Sequence, residues 1–597
     1  MNSDTRNMLA FGVIAVLLFL AYQRFVVAPV EQYQAQAKLE AKARGLPLSA
    51  DGTVATPPPV LLTHDKALAQ SPRVRIDTPS LAGSLALRGA RVDDLLLKGY
   101  HEQVSKTSPL VQLLRPQGQA EAYFAEAGWV GANLTDLPGP QTLWTLAAGD
   151  TLSPGHPVVL TYATASGLVF HRKVEVDAKS MFTFTDTVAN HSAMPATLAP
   201  YGAVQRIGLP VVSSAGAGGH QGAVGVLDLE KPILRQTSYK DWKKTKEITY
   251  PSKGGWLGIT DKYWMAVFIP NQSERIDGKF REETVGADDV YAAEYLAPQR
   301  VVAPGAQTVE VTRLFAGAKT VPVLNAYKKD LGIPRFDDAV DWGWLGLLTK
   351  PIFSLLQFFY HYVGNFGIAI LMLTVVIRAL TFPLANRGFE MGVKMKKIQP
   401  EMQAMQKRLK DDPAAQQKEM MALYAREKVN PITGCLPMLL PIPVFIALNN
   451  LFTVTIDMYH APFYGWIHDL SSRDPTTLLN LFGLIPWDPS LIPLIGGLLD
   501  STLHVGLWPL AYGLSMWLSM SMSPQTGIDP TQQIMFKFMP LLFTFILAQS
   551  AVGLLIYWTW SSLITIVQQY VMMRRHKVDN PIDDFFARFA AKPAASG

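Results

Sequence analysis

The stretch "LMLTVVIRALTFPL", residues 371–384, places one arginine inside an otherwise uncharged apolar segment. Residues 363–384 are long enough for a transmembrane helix, since about 20 apolar residues cross a hydrocarbon core of about 30 Å. At a rise of about 1.5 Å per residue, Arg378 would lie about 9 Å inside the end of this segment. A charge at that depth costs at least about 2.5–3.5 kcal/mol unless water or polar groups reach it. Either the side chain bends toward the lipid headgroups, or water reaches it through the protein.

Composition divides the 597-residue chain into a polar part and an apolar part. Hydrophobic residues make up 49% of the sequence and are concentrated in residues 8–30 and from residue 342 onward. The chain therefore combines a soluble part with a membrane part. The net charge of +5 is too small to indicate a nucleic-acid-binding protein. The single cysteine, Cys435, excludes an intramolecular disulfide framework.

The first 59 residues contain an apolar run followed by a polar region. Residues 1–30 are predicted to form a transmembrane anchor, with the span at 8–28. A cleaved signal peptide is the alternative, although the basic residues before the run are few and no small-residue cleavage site follows closely. Residues 31–59 are polar and then proline-rich, which predicts a flexible linker.

Residues 60–325 consist of short alternating runs such as "HRKVEVDAKSMFTFTDTV" (171–188), separated by clusters of Gly, Pro, Asn and Asp. This pattern predicts a β-sandwich domain. Its histidines and carboxylates do not follow the spacing of a metal site or a catalytic triad. The next segment, 342–361, is apolar and aromatic but is interrupted by Lys350 and Pro351. It is predicted to be an amphipathic helix on the membrane surface, with a seventh span as the alternative.

Six segments are predicted to cross the membrane, at 8–28, 363–384, 432–456, 503–522, 534–550 and 551–573. The loop 385–430 contains ten Lys or Arg residues, whereas the loop 457–502 contains only Arg473. By the positive-inside rule the first loop is cytoplasmic. Both termini are then cytoplasmic and the β domain is exported. A seventh span would break this parity, and the long outer loop 481–502 leaves the start of the fourth span open.

The apolar stretches of the second to sixth spans contain no Asp or Glu, so Arg378 is expected to lack an ionic partner. Uncharged polar residues are numerous there, and helix-packing hydrogen bonds are their ordinary role. Prolines 437, 441 and 443 favour an irregular third span that lines a cavity. Together these features predict a hydrated, positively charged groove open to the cytoplasm. The polar residues are Thr374, Asn449, Asn450, Thr453, Thr455, Ser515, Ser519, Thr559, Ser561, Ser562 and Thr565.

The cytoplasmic loop is predicted to form a helical hairpin, residues 386–430, that turns at "DDP" (411–413). One arm has a heptad-spaced apolar seam. The seam either packs against the second arm or provides an adaptable surface for varied apolar partners. Its residues are Met391, Met395, Ile398, Met402, Met405 and Leu409.

Five motifs follow one another along the second half of the chain: "LTKPIFSLLQFFYHYVGNFGIAILMLTVVIRALTFPL", "KMKKIQPEMQAMQKRLKDDPAAQQKEMMALYAREKVNPITGCLPMLLPIPVFIAL", "APFYGWIHDLSSRDP", "DPTQQIMFKFMP" and "GLLIYWTWSSLITIVQQ". In this order they resemble the membrane core of the YidC/Oxa/Alb family of membrane protein insertases, over residues 345–577, and the anchor and β domain resemble its Gram-negative type. The resemblance implies a multi-domain membrane protein with a five-helix transmembrane core (363–577) plus the N-terminal anchor helix. It also implies an exported β-supersandwich similar to sugar mutarotases, the cytoplasmic hairpin, and a short tail, 578–597.

The resemblance also implies a function. Such a protein would sit in the bacterial inner membrane, bind nascent membrane proteins and release them laterally into the lipid bilayer, alone or with the Sec translocon and its accessory subunits. A weak ribosome contact through the basic cytoplasmic loops is implied as well. The family is not enzymatic and needs no cofactor, and the sequence contains no GxxxxGK[ST] phosphate loop.

Individual residues match the family's functional positions. Arg378 matches the groove arginine and Thr374 its polar neighbour. Tyr557 and Trp558 fall at an aromatic pair that faces substrate on the last span. On the third span, the substrate-contact surface matches Ile442 and Pro443, whereas Pro441 replaces a glutamine found in some members.

The sequence leaves two functions of other classes as alternatives. A secondary transporter would also need a charge in a wet cavity, but it usually relies on intramembrane carboxylates and repeated halves, which this sequence lacks. Alternatively, the domain at 60–325 could be a membrane-tethered carbohydrate enzyme.

Overall fold

The computed structural model describes residues 61–131, 134–210, 219–286, 288–409, 412–427, 441–485, 504–522, 530–575, 577 and 580–590. These residues form two compact units. One covers the described residues of Ala28–Asp341 together with Val454–Asp457, and the other covers those of Trp342–Thr453 and Met458–Gly597. The predicted anchor, 1–30, and linker, 31–59, lie outside the described residues.

The first unit is a β-sandwich, as predicted. Alternation of buried and half-buried side chains along strands such as Met181–Asn190 follows from the two-residue period of a strand, which turns every second side chain toward the core. The strands are β1 Arg73–Asp77, β2 Leu81–Ala86, β3 Arg91–His101, β4 Leu110–Leu114, β5 Tyr123–Gly131, β6 Thr145–Ala148, β7 Thr151–Leu152, β8 Val158–Ala163, β9 Leu168–Val176, β10 Met181–Asn190, β11 Ala196–Ile207, β12 Gly222–Val226, β13 Leu234–Ser238, β14 Glu247–Lys253, β15 Trp256–Thr260, β16 Trp264–Ile269, β17 Arg275–Val285, β18 Asp288–Leu296, β19 Arg300–Val302 and β20 Gln307–Ala318.

These strands form two sheets. The 11-stranded sheet has the order β14-β17-β18-β11-β5-β3-β2-β1-β7, with β19 paired to β11 and β4 to β3. The 9-stranded sheet has the order β13-β12-β15-β16-β20-β10-β9-β8-β6. The core contains charges that are paired: Arg172 donates to both carboxylate oxygens of Asp186, each at 2.7 Å. Such pairing is what allows a charge to be buried at all.

The helices, in chain order, are α1 His64–Leu68, α2 Tyr239–Thr245, α3 Val321–Asp330, α4 Gly346–Val363, α5 Phe366–Arg408, α6 Pro413–Arg426, α7 Pro441–Val454, α8 Leu507–Met522, α9 Pro530–Leu547, α10 Val552–Arg575 and α11 Pro581–Ala590. The first three belong to the sandwich unit and the other eight to the helical unit.

Helix α4 corresponds to the predicted amphipathic helix at 342–361, but it begins four residues later. Its buried side chains, Thr349, Ile352, Phe353 and Leu356, recur at the spacing of one helix face. Trp342 precedes the helix and packs on Phe353, with ring centroids 5.4 Å apart. Trp342 is buried and is therefore a packing residue.

Helix α5 begins at Phe366, three residues inside the predicted span 363–384, and continues from there into the hairpin. Within the described residues, Phe366–Gly388 is the one helical segment that is both long and apolar enough to cross a membrane, and Ile442–Val454 and Lys537–Leu547 are shorter apolar helices. Part of the predicted third span lies outside the described residues. The five-helix membrane core therefore stays a prediction.

The hairpin is formed by the C-terminal part of α5 and by α6. Asp412 caps α6 by accepting a hydrogen bond from the Ala415 N–H at 3.0 Å. On α5, Ile398 and Met402 are buried against Leu423 of α6, so this part of the seam packs one arm against the other. Met405 is also buried, Met391 is half-buried, and the Met395 side chain lies outside the described part.

The segment Leu470–Thr476 holds the first turns of α8 and α10. The buried Asp474 accepts hydrogen bonds from the N–H of Trp508 at 2.8 Å and from the indole N–H of Trp466 at 3.2 Å. The carbonyls of Leu470 and Ser472 accept from Gly553 N at 3.0 Å and Val552 N at 2.7 Å. These contacts supply partners for N–H groups that a helix start leaves without intrahelical acceptors.

Candidate functional site

Arg378 of α5 is held by a serine of α10. Its Nε and Nη2 atoms donate to the Ser561 hydroxyl at 2.7 and 2.5 Å. Tyr557 lies one turn earlier on α10, close enough to the guanidinium and to the same hydroxyl to interact with both electrostatically. The guanidinium is half-buried, whereas Ser561 and Tyr557 are each only 5% exposed. The structure thus brings Arg378 and Tyr557 together around a serine.

The Ser561 hydroxyl is a neutral partner. A hydroxyl oxygen has two lone pairs and can accept from both guanidinium nitrogens, but it carries no charge to neutralise the cation. Ser561 reaches the arginine because α5 and α10 pack along each other at this level and a serine side chain is short. In place of an ion pair, Arg378 therefore makes a polar contact with a neutral side chain 183 residues away in the sequence.

Thr374 lies one turn before Arg378 on α5, and its hydroxyl bonds away from the guanidinium. Its side chain is fully buried, and its hydroxyl donates to the Ile370 carbonyl at 2.7 Å within α5. This backbone bond is the usual way in which a threonine satisfies its hydroxyl inside a helix. Thr374 accordingly acts as a helix-packing residue beside the arginine.

Trp558 joins three helices. Its ring makes edge contacts with Phe445 of α7 and Tyr512 of α8, both with centroids 5.1 Å apart. Edge-to-face arrangements of this kind are favourable beyond the area that they bury. On α7, Ile442 and Pro443 lie just before Phe445 and are exposed, so these predicted contact residues form a surface next to the aromatic cluster.

Asn449, Asn450 and Thr453 lie farther along α7. The Thr453 hydroxyl donates to the carbonyls of Asn449 and Asn450 at 2.9 and 3.0 Å. Asn450 lies against Gly343, where a Cβ atom would come within 2.8 Å of the amide nitrogen. These contacts belong to the end of α7 and the approach to α4, and the Arg378–Ser561 contact does not include them.

Sequence reasoning missed the particular roles of Ser561, Phe445 and Tyr512. Ser561 was only one of many polar residues in the apolar segments. Its spacing of four residues after Tyr557 could have singled it out, because positions i and i+4 share a helix face. No local pattern indicates that Phe445 and Tyr512 meet at Trp558.

Two family models match the chain. The YidC periplasmic domain matches residues 73–355, and the 60Kd inner membrane protein family matches residues 358–580. Together they cover the sandwich domain and the helical region. Among solved structures, an active YidC insertase aligns over 83% of this chain and 92% of its own, at 14% identity and a TM-score of 0.34.

Curated relatives match along the whole length. A membrane protein insertase YidC from Caulobacter sp. (strain K31) is 49% identical over 99% of both chains. The protein of the same name from Caulobacter vibrioides (strain NA1000 / CB15N) is also 49% identical, over 100% of both chains. A third, from Methylorubrum extorquens (strain PA1), is 43% identical over 100% of both. Full-length identity at this level shows that the chain belongs to the YidC family of membrane protein insertases.

Proposed function

We propose that this inner-membrane insertase receives nascent membrane proteins in a hydrated, positively charged groove at Arg378, open to the cytoplasm. It then releases them laterally into the bilayer, alone or with the Sec translocon and its accessory subunits. The observation that carries the proposal is the neutral partner of Arg378: Ser561 fixes the guanidinium but does not neutralise it.

Arg378 lowers the free-energy barrier to membrane entry for the polar segments of a client, that is, of the nascent membrane protein that is being inserted. A guanidinium has five N–H donors, and the Ser561 hydroxyl engages Nε and one of the terminal nitrogens. The other donors can face water or a carboxylate of the client. Because a charge in a medium of low dielectric constant acts more strongly than in bulk water, an acidic or polar segment entering beside Arg378 recovers part of its desolvation cost.

Apolar parts of a client follow a different surface. Tyr557 is buried and Trp558 is covered by Phe445, so a client reaches this aromatic pair by displacing the Phe445–Trp558 contact between α7 and α10. Val375 and Leu380 of α5 and Ile442 of α7 are already exposed. Each Å² of apolar client surface that passes from water into lipid contributes about 25 cal/mol of favourable free energy. This free energy drives release without a nucleotide.

The proposal includes the topology and the domain organisation. Residues 1–30 anchor the chain in the membrane, and residues 31–59 link this anchor to the periplasmic domain, 60–325. Residues 342–361 lie at the membrane interface, and residues 363–577 form the membrane core. Both termini and the hairpin 386–430 are cytoplasmic. The hairpin's ten basic residues provide the weak ribosome contact, because clustered positive charge attracts ribosomal RNA. In the seam, Met391, Met395, Met402 and Met405 could adapt to apolar partners if the two arms separate.

Replacing the arginine tests the groove. Arg378→Ala should slow insertion of clients with acidic translocated segments by about tenfold or more, since a hydrogen bond to a charged group contributes about 1.5–3 kcal/mol. The rates are measured with purified protein in liposomes. Arg387→Ala is the matched control, because Arg387 is an exposed arginine of the same helix. Wild-type rates for every acidic client would contradict a functional role for Arg378.

Crosslinking tests the aromatic route. A photoreactive amino acid at position 558 should capture a stalled nascent chain, because Trp558 lies where α7 and α10 must separate. The same group at Trp517, an exposed residue of α8, is the control and should capture much less. Equal capture at both positions would show that clients do not follow the aromatic pair.

A further inference from the structure

Helix α5 packs differently before and after Thr374. Up to that residue the helix is tightly covered: Ile370, Leu373 and Thr374 are fully buried. On the facing helix α10, a Cβ atom on Gly553 would lie 3.6 Å from the Ile370 Cδ1 atom. From Val375 to Arg387, all of whose side chains the structure describes, every residue of α5 is half-buried or exposed. In this range, therefore, α5 is not held by buried apolar side chains of its own.

The corresponding part of α10 is packed against a different helix. Its buried residues Ile566 and Met573 form an apolar cluster with Met522 of α8. Gln568 follows Ile566 by two residues, which turns it about 200° around a helix of about 3.6 residues per turn. Helix α10 thus directs apolar side chains toward α8 here and keeps polar ones on its other side.

Polar contacts join α5 and α10 at two levels in this part. The first is the contact of Arg378 with Ser561, described above. At the second, the Gln568 side-chain N–H donates to the Asn386 carboxamide oxygen at 2.8 Å. The second contact lies eight residues further along α5 and seven along α10, or about 12 Å and about 10 Å at about 1.5 Å per residue. In the proposed topology it is the contact nearer to the cytoplasm.

The contact between Asn386 and Gln568 is one that a polypeptide can replace. Both side chains are half-buried, and both end in a carboxamide, which has the same donor and acceptor groups as a peptide bond. A peptide segment between the two helices can accept from Gln568 and donate to Asn386, so neither group loses its partner. That exchange is favourable because an unpaired polar group is costly inside a membrane.

We propose that Asn386 and Gln568 form a latch on the cytoplasmic side of the Arg378 groove, and that a client enters by taking over the hydrogen bond between them. The inference rests on the groove and the topology of the proposed function. The ligand of the latch is the backbone of an extended, polar segment. A helical segment pairs its own backbone groups and does not release the latch. The charge that follows such an extended segment is then met by Arg378.

A removable link tests whether the two residues must separate. Cys435 is the only cysteine in the sequence, so Cys435→Ser gives the background for Asn386→Cys with Gln568→Cys. A reducible bis-methanethiosulfonate linker joins them, because residues in contact through long side chains can exceed the reach of a direct disulfide. In liposomes, the linked full chain should insert clients with polar translocated segments several-fold more slowly, and a reductant should restore the rate. The reagent should not slow either single-cysteine variant.

Labelling measures the opening without a client. Thr565 lies on α10 between the two contacts, so Thr565→Cys in the same background should react with a water-soluble methanethiosulfonate at a rate set by the access of water. Gln568→Leu removes the carboxamide and should raise this rate several-fold. Combining Asn386→Gln with Gln568→Asn keeps an amide pair and should restore the slow rate. Val567→Leu, at an exposed neighbouring position, is the matched control and should have no effect.

Three results would overturn the proposal. One is insertion by the linked protein at the rate of the reduced protein. Another is equal slowing of clients without a polar translocated segment, since that would show that the link only stiffens the bundle. The third is unchanged labelling of Thr565→Cys when Gln568→Leu is added.

The variant Arg378→Ala separates the latch from the groove. A normal rate in the linked protein, together with impaired insertion by Arg378→Ala, would reject the latch and keep the groove. Wild-type insertion of acidic clients by Arg378→Ala, together with slow insertion by the linked protein, would reject the role of the arginine and keep the latch.

Discussion

Ser561 determines how Arg378 is presented. Two guanidinium nitrogens meet one hydroxyl, so the arginine is oriented by a group that cannot cancel its charge. A carboxylate at this place would orient the arginine equally well but would remove the positive potential of the proposed groove. In the proposed function, insertion of acidic segments should therefore depend on the serine as well as on the arginine.

Ser561→Ala should therefore impair the same clients as Arg378→Ala, but by a smaller factor of about 3–10, because a net hydrogen bond contributes about 0.5–1.5 kcal/mol and the charge remains. Ser561→Thr keeps the hydroxyl and should retain most of the activity. Insertion rates of acidic and apolar clients in liposomes give the comparison. Ser562→Ala is the adjacent control, and equal behaviour of Ser561→Ala and Ser562→Ala would argue against this positioning role.

At this scale the sequence was informative about Arg378 and much less so about its surroundings. A charge inside an apolar segment is visible in any window of the sequence. Its partner is not, because Ser561 is separated from it by 183 residues and resembles the other hydroxyl-bearing residues of the spans. The burial of Tyr557 could not be predicted for a similar reason. Helix packing, and not residue type, decides which side of α10 faces a neighbour.

At the scale of elements, α8 and α9 approach each other at one glycine. A Cβ atom on Gly513 would lie 2.0 Å from the Thr544 hydroxyl oxygen, and that hydroxyl already donates to the Pro540 carbonyl at 2.8 Å. Small residues at helix contacts in membranes allow such close approach. The spacing of α8 and α9 therefore depends on the missing side chain at 513.

Gly513→Ala should destabilise the helical unit by about 1–3 kcal/mol, the usual cost of overpacking. Thermal unfolding of the protein in nanodiscs measures the loss. Adding Thr544→Ala removes the clashing oxygen and should restore most of the stability, whereas Leu514→Ala, at an exposed neighbouring position, should have little effect. Failure of the double variant to recover would show that the clash is not the cause.

Element boundaries were predicted unevenly. The turn at "DDP" was correct because Asp412 and Pro413 are strong helix-start residues. The predicted span ends at 384 and the predicted hairpin begins at 386, but no helix boundary lies between them, since α5 continues to Arg408. Helix α11 was missed within the predicted tail 578–597, although "NPIDDF" carries a capping Asn, a Pro at the first position and acidic residues in the first turn, which together indicate a helix start.

At the scale of the whole molecule, the two compact units each have their own internal packing. The sandwich core is built from residues of the sandwich itself, and the aromatic cluster at Trp558 is built from helices of the other unit. A domain with its own core can fold alone. The Arg378 site thus does not depend on sandwich residues for its geometry.

Deleting residues 60–325 should therefore leave most insertion activity, provided that the linker still joins the anchor to the helical unit. Complementation of a strain depleted of its own insertase, with the truncated chain produced at wild-type level, is the measurement. The truncated chain carrying Arg378→Ala should again fail with acidic clients. Loss of all activity on deletion of the domain alone would favour the carbohydrate-enzyme alternative or another essential role of the sandwich.

Family, sandwich fold and non-enzymatic insertase function were all predicted from the sequence, and the full-length relatives confirm them. Specific motifs in a fixed order were sufficient for that. The number of spans and the side of each loop stay predictions, because the described residues contain one helix that satisfies length and apolarity together and the segment at 8–28 lies outside them.

The contacts of Leu470–Thr476 have a mechanical consequence. Because Asp474, Ser472 and Leu470 hold the starting turns of both α8 and α10, we expect any separation of these two helices to be smallest there and largest at their far ends. The bundle should therefore widen at the ends of α8 and α10 that lie away from this segment. Weakening these contacts, for instance with Asp474→Asn, should change which ends of the two helices separate before it changes how tightly any polypeptide is held.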